Sequence, residues 1–110
     1  MSSGRYASRG TLYVLQPVTG GPVKIGWTAK GNALRRLRDA QTYHPSELVI
    51  LTETPAFYSQ ERALHRLFNE YRTQAPGRGE WFRYEGLVSE CLEYLREGGI
   101  DTFLDAHQGS

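Results

Sequence analysis

The sequence predicts an α+β domain, a small three-stranded, mostly antiparallel sheet flanked by helices in the order strand, strand, helix, strand, helix, helix. Three observations carry this. Between Thr11 and Thr28, two stretches, Leu12–Gln16 and Val23–Trp27, flank a Gly-rich turn with a proline at each shoulder, the pattern of a β-hairpin. The segment ELVILTET places Val49, Ile50 and Leu51 consecutively, which reads as a strand buried on both faces and hence as the centre of the sheet. The segments between and after these runs carry apolar residues at helical spacing.

Taken in order, the hairpin comes first. Side chains alternate along a strand, so Tyr13 and Leu15 share one face and Leu12 and Val14 the other, while Lys24 and Gly26 separate from Val23 and Ile25 in the same way. Asn32 is the expected N-cap of a first helix, whose sequence ALRRLRDAQ puts Ala33, Leu34, Leu37 and Ala40 on one stripe. Arg36 and Arg38 flank that stripe on opposite sides and Arg35 points away from it. Pro45 ends the helix, because proline disfavours helical geometry in the residue before it.

Thr54-Pro55 reads as the N-cap and first turn of a second helix. Within it Phe57, Leu64, Leu67, Phe68 and Tyr71 form an apolar stripe. A carboxylate stands in that stripe: Glu61 lies on the line from Phe57 to Leu64, with His65 as its i+4 neighbour, so both project toward the sheet or its edge. In APGRGEWF the glycines and proline mark a turn and Trp81-Phe82 an apolar anchor. A last helix over Glu85 to Glu97 buries Val88, Cys91, Leu92 and Leu95 and stops at Gly98-Gly99, after which Phe103 and Leu104 fold back in a short turn. The domain is thus expected over 11–97, with a loose N-terminal tail at 1–10 and a C-terminal extension at 98–110.

A chain of 110 residues forms one domain with one real core. Cys91 is the only cysteine, which excludes an internal disulfide and a cysteine-based zinc site. With no apolar run approaching the roughly 18 residues of a membrane span and no signal-peptide core, a soluble, cytoplasmic protein with no membrane partner is expected. The net charge of +1 hides a strong asymmetry. No acidic residue precedes Asp39, whereas Arg5, Arg9, Lys24, Lys30, Arg35, Arg36 and Arg38 do; from Glu85 onward Arg96 faces six carboxylates. A polyanion such as DNA is drawn to the first half and repelled by the last; two ordinary solvated faces are the bland alternative.

The predicted faces gather a phenol (Tyr13), two cations (Lys24, Arg36) and one carboxylate (Glu61, beside His65), a set suited to phosphodiester hydrolysis. A lone carboxylate can hold a hydrated divalent ion such as Mg²⁺ or Mn²⁺, and cations beside the phosphate stabilise charge developing in the transition state. Tyr13 becomes a usable general base only where positive charge lowers its pKa, which Lys24 and Arg36 are placed to do. Each assignment has a plainer counterpart. Tyr13 is also an ordinary strand aromatic, Lys24 a solvated strand charge, Arg36 one of three arginines on its helix, and His65 a hydrogen-bonded packing residue. Trp27, Lys30, Arg35 and Arg38 are candidates to touch nucleic acid, with packing an equal explanation for Trp27. Glu80 and Arg72 read as structural, Glu80 as a turn residue bonding backbone amides.

These pieces also carry a resemblance. Leu12-Tyr13-Val14, the run from Val23 to Thr28, Arg36-Leu37, the E-x-x-x-H-x-x-F spacing from Glu61 to Phe68 and Gly79-Glu80-Trp81-Phe82 together resemble the GIY-YIG nuclease superfamily, and more closely its compact phage and bacterial DNA-binding branch. The resemblance implies a ββαβαα domain and a metal-dependent DNA endonuclease. It implies Tyr13 at the attacking water, Arg36 on the phosphate, Glu61 on a Mg²⁺ or Mn²⁺ ion and Gly26 where bare backbone is needed. The sequence departs from the wider pattern at Lys24, where a tyrosine is usual, and at Leu12, where a glycine is. A DNA-binding module of the same fold that does not cleave is the alternative.

Overall fold

The computed structural model describes residues 9–29, 32–73 and 80–108. Strands β1 (Arg9–Pro17) and β2 (Val23–Thr28) form the predicted hairpin, followed by helix α1 (Ala33–Gln41), strand β3 (Leu48–Phe57) and helix α2 (Tyr58–Leu67). A 3₁₀ turn (Asn69–Tyr71) leads into two very short strands, β4 (Arg72–Thr73) and β5 (Trp81–Phe82), and then helices α3 (Gly86–Arg96) and α4 (Ile100–Gln108).

The sheet has five strands, all antiparallel, in the order β3-β1-β2-β5-β4, which corrects the expectation of three. Two-residue strands carry no readable alternation, so β4 and β5 are invisible as a pattern. β3 also departs from expectation: it is an edge strand, hydrogen-bonded to β1. Its consecutive apolar run has a different cause, since Ile50 packs beneath α1 while Leu51 packs against the core on the opposite face. Leu12, Tyr13, Val14 and Leu15 make β1 the strand buried on both faces instead.

The hairpin turn needs Gly20 and Gly21, whose φ values of 95° and 106° lie where a Cβ is strained. Across the hairpin Tyr13 stands opposite Gly26 and Leu15 opposite Lys24, so the predicted sharing of faces holds. On one face Tyr13, Leu15 and Ile50 pack against Ala33, Leu37 and Ala40 of α1. The other carries the main core, built from Leu12, Val14, Val23 and Ile25 of the hairpin, Leu64 of α2 with Phe68 just after it, and the apolar sides of α3 and α4. Leu34, assigned to the α1 stripe by spacing, is half exposed instead.

Thr54 and Pro55 do not start α2. Both stay in β3, and the helix begins after Phe57, whose N–H donates to Gln60 Oε1 at 2.8 Å. The tail end of the chain is likewise more regular than a turn: α4 buries Ile100, Phe103 and Leu104.

Candidate functional site

Tyr13 forms the floor of the site. Its ring lies directly over Gly26, where an added Cβ would sit 2.4 Å from the phenol carbon and hydroxyl, so only glycine leaves the ring room. The side chain is 4% exposed, and burial raises the phenol above its ordinary pKa despite the opposing charge of Arg36. This reverses the lowering expected from two nearby cations, because desolvation of a phenolate on a buried strand outweighs an exposed guanidinium. Beside it, burial lowers the Lys24 ammonium, with Glu61 and Glu80 opposing that shift.

Tyr13, Lys24 and Arg36 line one cavity of about 440 Å³, closed on its other side by Asp39, Ala40, Thr42 and Tyr43 from α1 and the loop after it. Arg36 is half exposed and reaches Asp39 at 3.8 Å. Asn32 accepts from the Arg35 N–H at 3.1 Å, the N-cap predicted for this helix, and so fixes the register that turns Arg36 toward the sheet. Arg35 and Arg38 are exposed on α1. Lys30 falls outside the described residues.

Glu61 does not line that cavity, yet its charge acts on both Tyr13 and Lys24. The shortness of β5 explains how a helix from the other face reaches this rim. β5 pairs only with Val23 and Lys24, so the edge of β2 beyond Lys24 is left to α2. There His65 Nε2 donates to the Ile25 carbonyl at 2.8 Å, and Glu61 Oε2 lies 3.4 Å from the same nitrogen. Both residues are buried, Glu61 at 7% and His65 at 3% exposure. Burial raises the Glu61 carboxyl, against the lowering charges of His65 and Arg62. Glu61 Oε1 has no hydrogen-bond partner among the described residues, and Arg62 Nη1 lies 3.9 Å from it. A buried, unpartnered carboxylate oxygen costs stability, and a bound cation would remove that cost. The donor set therefore fits one hydrated divalent ion and not a caged one, since no group of three metal-ligating side chains exists among the described residues.

Trp27 belongs elsewhere. It sits on the face opposite Tyr13, donates from Nε1 to the Ala56 carbonyl at 2.8 Å and packs against Tyr58, which leaves it a packing role. Sequence reasoning missed two partners of Glu80: it bonds His65 Nδ1 at 2.9 Å and Arg72 Nη1. Nothing in its spacing shows this, because Glu80 reaches His65 only through the β4–β5 pairing.

The T5orf172 domain family matches residues 10–97, most of the chain. The chain belongs to the T5orf172 domain family. This overturns the GIY-YIG resemblance. All five motif fragments lie inside the T5orf172 match, and each is short. The T5orf172 family is phage-linked and DNA-associated. No curated protein and no solved structure matches the chain significantly. No described helix of this T5orf172 domain is long and apolar enough to cross a membrane.

Proposed function

We propose that this domain binds DNA on the α1 side of its sheet and hydrolyses a phosphodiester there, with Glu61 holding one divalent cation. The buried, unpartnered Glu61 Oε1, electrostatically joined to Tyr13 and Lys24 at the rim of the cavity, carries the proposal.

The phosphate enters between Lys24 and Arg36, which line the cavity and supply fixed positive charge to its oxygens. Glu61 would hold a Mg²⁺ or Mn²⁺ ion, and such an ion would supply further charge neutralisation and acidify a water. Tyr13 works as a neutral phenol, since burial holds it protonated. It orients the attacking water or a phosphate oxygen by hydrogen bonding and does not store the proton. His65 keeps the carboxylate in place from the side away from the cavity. Arg35 and Arg38, exposed on the same helix as Arg36, follow the DNA backbone.

The raised phenol also favours a second reading, binding without cleavage, because burial works against Tyr13 taking a proton from water. A plasmid nicking assay in Mg²⁺ or Mn²⁺ separates the two. Nicking that Glu61→Ala abolishes supports hydrolysis; salt-sensitive binding with no nicking in either metal leaves the binding module.

A further inference from the structure

Glu80 stands immediately before β5 and is the meeting point of two elements. Its Oε1 accepts from His65 Nδ1 at 2.9 Å on α2 and from Arg72 Nη1 on β4. The other nitrogen of His65 is committed as well, to the Ile25 carbonyl at 2.8 Å and to Glu61 Oε2 at 3.4 Å. Each nitrogen of this imidazole thus faces an oxygen, Nδ1 the Glu80 carboxylate and Nε2 the Ile25 carbonyl and Glu61. Phe82, the neighbour of Trp81 in β5, meets the ring edge-on with centroids 5.1 Å apart and fixes its plane. Ile25 lies between Lys24, which lines the cavity, and Gly26, which supports the Tyr13 ring. One imidazole thus ties the α2 carboxylate to the strand segment that carries the rest of the site.

An Arg72–Glu80 pair with both side chains more than a third exposed contributes little to stability as an isolated ion pair. What it does contribute is a fixed acceptor for a histidine that is itself 3% exposed.

We propose that Glu80, held by Arg72, is a positioning residue: by accepting from His65 Nδ1 it sets the imidazole so that Nε2 spans the Ile25 carbonyl and Glu61 Oε2, and this fixes the Glu61 carboxylate at the edge of β2 beside Lys24. The inference rests on the reading that Glu61 holds a divalent cation at a phosphodiester-cleaving site.

The test uses the full chain with Glu80→Ala, Glu80→Gln, Arg72→Ala and Glu61→Ala. Three quantities are read: nicking rate against Mn²⁺ concentration, Mn²⁺ affinity without DNA by electron paramagnetic resonance, and the His65 ring ¹⁵N–¹H signals of the metal-free protein. Glu80→Ala should lower both the nicking rate and Mn²⁺ affinity by about 10- to 100-fold, the usual effect of removing a partner behind a metal ligand. It should also lose the His65 Nδ1 proton signal and leave DNA affinity unchanged. Glu80→Gln keeps an acceptor oxygen and should restore most of each quantity. Arg72→Ala should shift them in the same direction by less, and carries the test if Glu80→Ala fails to fold. Wild-type Mn²⁺ affinity and His65 signals in Glu80→Ala would overturn the proposal, as would a Gln variant as impaired as the Ala one. Mn²⁺ bound at Glu61 with this dependence on Glu80, but no nicking, would remove the cleavage reading and leave the positioning role standing. Mn²⁺ binding that Glu61→Ala does not alter would overturn both.

Discussion

Tyr13 and Gly26 act as one unit, since the ring occupies the space where any side chain on residue 26 would begin. Gly26→Ala must push the phenol off the strand, and an overpacking cost of about 1–3 kcal/mol follows, measurable by urea denaturation. The same variant should weaken phosphate binding, because the floor of the cavity moves with the ring. Glu61 presents the opposite trade. Its carboxyl is raised in the folded state, so its contribution to stability is present below the ordinary carboxylate value of 4.5 and is lost as pH rises through the raised folded value. Glu61→Gln, which does not titrate, should therefore gain stability over the wild type as pH climbs from 4.5 toward neutrality. Urea midpoints measured across that window check it, and a pH-independent difference would contradict it. Cys91 sits in the main core with its thiol pushed up to about 12 by burial, so it should resist a disulfide reagent at neutral pH until the protein is denatured.

Among the elements, the hairpin and α1 were legible because each shows its own chemistry locally: two glycines at positive φ, alternation on both strands, and an asparagine whose side chain closes the first helical turn. Asn32→Ala should cost about 1 kcal/mol and loosen the helix that presents Arg36, which thermal unfolding will show. The placement of Glu61 and His65 on the packed side of α2 was legible too, from a single spacing. β3 was misread for a physical reason. A consecutive apolar run reports cover on both faces, and cover on both faces does not require a strand on both edges. Thr54-Pro55 failed similarly: a threonine and proline suit a helix start, yet the long pairing of β3 with β1, from Leu48 opposite Pro17 to Phe57 opposite Arg9, overrides that local preference. β4, β5 and the role of Glu80 depend wholly on long-range pairing, and no local signal announces them.

At the scale of the whole molecule, the charge asymmetry along the chain becomes an asymmetry across the sheet. The arginines of α1 lie over the face that holds Tyr13, while Glu90, Glu93, Asp101 and Asp105 ride on α3 and α4 over the other. DNA affinity should therefore fall steeply with salt, and Arg35→Glu or Arg38→Glu should weaken it and flatten that dependence. Glu93→Lys on the far side should change neither. Equal effects from both faces, measured by fluorescence anisotropy over a salt series, would remove the directional approach.

The brevity of β5 bears on how such a domain diversifies. The Ile25 carbonyl can be claimed by a histidine from α2 or by a backbone amide from a longer neighbouring strand, but not by both in the same geometry. Extending the β4–β5 ribbon by one residue pair would convert the rim into ordinary sheet and evict the imidazole. The length of β4 and β5 thereby decides whether this carbonyl serves the sheet or the imidazole, leaving the main core untouched.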